Sequence, residues 1–64
     1  PDPIEAIKYR MEQLGMNQQD LSAVIGYKSR VSEILNKKRK LSLKMIRSLA
    51  EKLSIPSEVL IQEY

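Results

Sequence analysis

Residues 18–35 read Gln18-Gln19-Asp20-Leu21-Ser22-Ala23-Val24-Ile25-Gly26-Tyr27-Lys28-Ser29-Arg30-Val31-Ser32-Glu33-Ile34-Leu35, and this stretch decides the fold. Leu21, Val24 and Ile25 make a short apolar stripe at helical spacing. Gly26 ends it after about two turns, because glycine readily takes the positive φ of a tight turn. A second stripe of Val31, Ile34 and Leu35 starts almost at once, with Ser29 or a neighbour as its cap. Ser22 and Ala23 are small enough to let two helices cross there at a steep angle. Two short helices joined by a tight turn form a helix-turn-helix. The second helix pins one face to the core and leaves the other polar, free to read bases in a major groove.

Working outward, Ile4, Ile7, Met11 and Leu14 line one face of a first helix. Asp2 caps it, Pro3 occupies its first turn, and Gly15 ends it. Asn17 caps the second helix, with Asp20 at the third position favouring the helix dipole. Asn36 ends the third helix in the left-handed conformation, which asparagine tolerates. Ser42 caps a fourth helix whose inward stripe is Ile46, Leu49, Ala50 and Leu53, extended by Leu43. Pro56 opens a last short helix that buries Val59 and Leu60. The expectation is an all-α, five-helix bundle forming one domain over residues 1–64, with no strand, repeat or linker.

A chain of 64 residues buries only about 60% of its unfolded surface, so its margin of stability is thin. It has no Cys and no His. Disulfides, Cys/His zinc sites, thiol nucleophiles and imidazole bases are thereby excluded. The carboxylates are scattered, and there is no Gly-rich phosphate loop. No enzyme, no cofactor and no metal site are expected. No apolar run approaches membrane-spanning length, and no signal-peptide pattern is present. A cytoplasmic location is the corresponding expectation. The chain opens Pro1-Asp2-Pro3 without an initiating Met, which reads as a domain excised from a longer protein.

Charge is sharply segregated. Lys28, Arg30, Lys37, Lys38, Arg39, Lys40, Lys44 and Arg47 are opposed only by Glu33, a net of +7 in 20 residues. The remainder carries −4, within a total of +3. Such segregation is the footprint of a polyanion-binding face, although a solvated basic loop would read the same way. With Val31, Ile34 and Leu35 inward, Ser29, Arg30, Ser32, Glu33 and Asn36 face out. Lys28, Ser29, Arg30, Ser32 and Glu33 are therefore the candidates for base contacts. Arg30 can donate two hydrogen bonds to guanine O6 and N7. Glu33 can accept from cytosine N4 or simply hold Arg30 in a surface ion pair, worth about 0–1 kcal/mol.

The backbone-contacting candidates are Gln18, Tyr27, Asn36, Lys37, Lys38, Arg39, Lys40 and Lys44. Gln18, at the start of the second helix, can bring side chain and backbone N–H to a phosphate, or serve only as a helix-start residue. The Tyr27 hydroxyl can donate to a phosphate. Lys44 lies in the first turn of the fourth helix, where a cation opposes the dipole, so its placement points to another purpose. Tyr9 and Tyr64 read as packing residues.

The segments Asn17-Gln18-Gln19-Asp20-Leu21, Ile25-Gly26, Val31-Ser32, Ile34-Leu35-Asn36, Lys38-Arg39, Leu43 to Leu53 and Ile55-Pro56 resemble the phage-repressor-type (Cro-like, XRE) helix-turn-helix family. Within it, the chain is similar to the DNA-binding domain of HigA-type antitoxins, through Arg-Val-Ser-Glu-Ile-Leu-Asn at 30–36, the following Lys-Arg, and Leu-Ser-Leu-x-Met-Ile-Arg at 41–47. The resemblance covers about residues 4–61. It implies a five-helix bundle that binds a palindromic double-stranded operator as a homodimer, associated with the bacterial nucleoid. It also implies repression of the protein's own toxin–antitoxin operon, with a toxin bound through a separate segment. Gly26 to Val31 spans five positions where most of the wider family has six, so which of Lys28, Ser29 and Arg30 reads a base stays open. Tyr27 stands where a small aliphatic is usual, and Ser22 where Ala is usual. The dimer surface is expected at helix five, with Ile61 and Tyr64. The rival reading is a helical interaction module whose basic face binds an acidic protein such as a toxin.

Overall fold

The computed structural model describes residues 2–64, which fold into five helices: α1 (Pro3–Leu14), α2 (Gln18–Ile25), α3 (Lys28–Leu35), α4 (Leu43–Lys52) and α5 (Ser57–Leu60). Three helix starts follow directly from local chemistry. Asp2 Oδ1 accepts from Glu5 N–H at 2.9 Å, and Ser42 Oγ accepts from Met45 N–H at 3.2 Å. At α2, Asn17 Oδ1 accepts from Asp20 N–H at 2.8 Å while Asp20 Oδ2 accepts from Asn17 N–H at 3.0 Å. This reciprocal capping box satisfies two donors that a bare helix end would leave open.

Gly15 (φ 67°) and Gly26 (φ 96°) adopt the left-handed conformation anticipated for them. At Gly15 the ending is a Schellman motif, with Gly15 N–H bonded to Glu12 O and Met16 N–H to Met11 O. That reversal turns Met16 against the core and leaves Leu14, expected on the apolar face, 45% exposed.

The core is aliphatic: Ile4, Ile7 and Met11 from α1, Leu21 and Ile25 from α2, Val31, Ile34 and Leu35 from α3, and Met45 and Leu49 from α4, closed by Leu53, Ile55 and Leu60. Helix α2 packs chiefly on α3 and α4, and α5 closes against α1 and α4. Among the described residues no polar side chain is buried, so burial alone shapes the interior.

Three packing expectations need correction. In α4 the inward residues are Met45 and Leu49, with Ile46 only half-buried. Leu43 is 62% exposed, because it lies roughly 120–160° around the helix from those two. In α2, Ala23 faces solvent, and half-buried Ser22 donates its hydroxyl to Gln19 O at 2.6 Å, so the crossing with α3 is filled by Leu21 and Ile25. In α5, Leu60 is buried but Val59 only half so.

Candidate nucleic-acid interface

Helix α3 shows one apolar and one open face. Val31, Ile34 and Leu35 are buried, while Lys28, Ser29, Ser32, Glu33 and Asn36 are exposed and Arg30 is half-buried. The helix begins at Lys28, two residues before a Ser29 cap would allow. Tyr27 is the N-cap residue and makes no side-chain cap hydrogen bond. At the other end Asn36 is not left-handed (φ −94°); Lys37 takes that conformation instead, at φ 61°. The Asn36 amide reaches back to Ser32 O at 2.9 Å, holding it near helical geometry and moving the reversal one residue on. Lys37 N–H to Ile34 O and Lys38 N–H to Glu33 O complete the ending.

That reversal assigns the loop cations different surroundings. Lys37 Nζ lies 2.8 Å from Asp2 Oδ2, tying the start of α1 to the loop. The hydrogen bond from Lys37 holds the Asp2 carboxyl below its ordinary pKa, aided by the Glu5 N–H, and the same bond raises Lys37. Arg39 folds back so that its Nε lies 3.1 Å from Glu33 Oε1. Glu33 is therefore paired with the loop, and the Arg30–Glu33 pair expected as one alternative does not form. Arg30 instead sits over the Tyr27 ring, 4.6 Å from its centroid. Lys40 lies over the Tyr64 ring at 4.3 Å and donates to the Tyr64 carbonyl. Among the described residues Lys28, Lys38, Lys44 and Arg47 have no ion-pair partner.

The exposed face of α3 lies between two grooves. At its C-terminal end Asn36 shares a groove with Gln18 from the start of α2 and with Lys8 from α1, and Glu12 also lines it. At its N-terminal end Tyr27 and Arg30 share a cleft with Ser42, Lys44 and Ser48 of the α4 region. Gln18, Asn36, Arg30 and Lys44 thus collect around one helix, whereas Lys37 is directed to Asp2 and Lys40 to Tyr64.

Two participants escaped sequence reasoning. Lys8 reaches the Gln18 groove only through the packing of α1, and nothing in its neighbourhood along the chain announces that. Tyr64, read as a packing residue, accepts from Leu41 N–H at 2.8 Å and donates to Arg39 O at 3.4 Å, so it pins the basic loop. Tyr9 is exposed, and its hydroxyl accepts from Gln13 at 3.3 Å. Of the two residues expected at a dimer surface, Ile61 is exposed and Tyr64 is half-buried against the loop.

No group of three Asp or Glu residues among the described residues is arranged to hold a metal ion. Among the described residues no helix is long and apolar enough to cross a membrane. No curated protein and no solved structure matches the chain. The profile of the family described as helix-turn-helix matches residues 7–60, which takes in α2, α3, both grooves and most of the core. The chain belongs to the helix-turn-helix family of the Cro-like, XRE type, a family of DNA-binding regulators.

Proposed function

We propose that the protein is the operator-binding part of an antitoxin that represses its own toxin–antitoxin operon by occluding the promoter, without a cofactor. The observation that carries this reading is the open face of α3, which presents Lys28, Ser29, Ser32, Glu33 and Asn36 between two grooves. In this reading α3 enters the major groove, and Lys28, Ser29, Arg30, Ser32 and Glu33 face base edges. Gln18, Tyr27, Asn36, Lys38 and Lys44 face the sugar–phosphate backbone, with Lys37, Arg39 and Lys40 in lesser roles because each already has a partner in the fold. Lys8 joins the backbone set through the Gln18 groove. The antitoxin assignment is supported by the HigA-like run at 30–36 and its continuation at 41–47.

The domain measures 24 × 23 × 18 Å, less than the roughly 34 Å between successive major-groove faces. One copy therefore covers one half-site, which favours a homodimer on a palindrome. A toxin would be held by a separate segment.

The test is a salt titration of duplex binding. Release of counterions gives a log–log slope of about −0.9 per phosphate contacted. Lys38→Ala should weaken all sequences alike and flatten that slope by about one unit, whereas Arg30→Ala should cost about 1–3 kcal/mol on the preferred sequence and relax one base pair. A flat slope in the parent protein, with tight binding to an acidic protein, would replace this reading by the interaction-module one.

A further inference from the structure

We propose that Tyr27 is a positioning residue for base recognition: its ring is the platform that aims the Arg30 guanidinium at a guanine edge. This rests on the reading of α3 as the recognition helix. Tyr27 and Arg30 stand at the N-cap and third helical positions, the same spacing that joins the two members of a capping box. Here a ring and a guanidinium occupy those positions, 4.6 Å apart, and Arg30 N–H donates to Tyr27 O at 3.2 Å.

Every other group that could hold Arg30 is absent or engaged. Glu33, the one carboxylate on α3, is paired with Arg39 at 3.1 Å. Lys44, which lines the same cleft, is a cation and offers no acceptor. Among the described residues no acceptor takes a hydrogen bond from the Arg30 guanidinium, although the side chain is half-buried. Held over the ring with its Cζ 4.6 Å from the centroid and bonded to no acceptor among the described residues, the guanidinium keeps its paired N–H donors free, and these match guanine O6 and N7. Holding the group in place in advance lowers the conformational cost of forming two bonds at once. Tyr27 is 58% exposed, a placement that burial of apolar surface does not explain.

Local energetics point the same way. A Ser, Asp or Asn at position 27 would cap α3, and a cation in the first turn opposes the helix dipole. Tyr27 and Arg30 forgo both sources of helix stability while retaining their contact with each other.

The experiment is selection of preferred sequences from a random duplex pool, with the parent protein, Arg30→Ala, Tyr27→Ala, Tyr27→Phe and the Tyr27→Ala/Arg30→Ala double variant. Arg30→Ala should erase the preference at one base pair. Tyr27→Ala should blunt discrimination at that same base pair by about two- to fivefold, the range of an exposed cation–π contact. Tyr27→Phe should keep it, and the double variant should match Arg30→Ala. The proposal is overturned if Tyr27→Ala weakens all sequences equally, if it blunts a different base pair, or if the two single losses simply add. A parent protein that selects no sequence would instead defeat the repressor reading itself.

Discussion

The starts of α2 and α3 make an instructive pair, since both helices have eight residues and they pack on each other. Helix α2 begins with a reciprocal Asn17–Asp20 box and an acidic first turn. Helix α3 begins with an aromatic residue that caps nothing, and Lys28 and Arg30 are cations in its first turn. By general magnitudes a missing side-chain cap costs about 0.5–2 kcal/mol, and each cation near a helix N-terminus a further ~0.3–1 kcal/mol. Helix α3 forms anyway because its other face is almost wholly removed from water at Val31, Ile34 and Leu35. Local rules are obeyed at the start of α2, and broken at the start of α3, which the proposed reading sets against base edges.

Three substitutions can break or sharpen that contrast. Asn17→Ala removes the box at α2 and should lower stability in urea denaturation by about 0.5–2 kcal/mol, the largest of these effects. No loss in the unfolding midpoint would mean that packing alone holds α2. Lys28→Glu at α3 should move two properties in opposite directions, raising stability by about 0.3–1 kcal/mol while weakening duplex binding. If stability falls as well, the first turn of α3 is not a site of local sacrifice.

The smallest effect concerns Asp2, whose folded pKa is lowered by the hydrogen bond from Lys37. A lowered carboxyl pKa stabilises the fold above the unfolded value, about 3.9, and that contribution is lost as pH falls through the folded value. Asp2→Asn should therefore flatten the acid limb of a stability–pH curve. For Lys37, whose pKa is raised, the matching contribution is present below the ordinary lysine value and is lost only as pH rises through the higher folded one. Across neutral pH the pair should thus give no slope.

Much of the fold was legible because its signals are local. Asp2, Asn17 and Ser42 cap within three residues, Gly15 and Gly26 turn the chain where they stand, and the i, i+3, i+4 spacing marked most of the core. Errors arose where two segments compete for one place. Leu14 lost its inward position to Met16 once the chain reversed at Gly15. Asn36 yielded the left-handed position to Lys37 because its amide bonded back to Ser32. Glu33 pairs with Arg39 and not with Arg30, the alternative nearer along the chain, because the loop returns Arg39 to it.

For the proposed interface, residue type and charge segregation were enough to nominate α3, Gln18 and the cations from Lys28 to Lys44. Which of those cations are already engaged required the folded chain: Lys37 by Asp2, Arg39 by Glu33, Lys40 by Tyr64. Capping and periodicity act over one or two helical turns, so the order of amino acids determined five helices and most, though not all, of their inward residues. Ion pairs, ring stacking and the grooves that bring Lys8 beside Gln18 and Lys44 beside Arg30 join residues far apart along the chain, and only the packing of those helices could decide them.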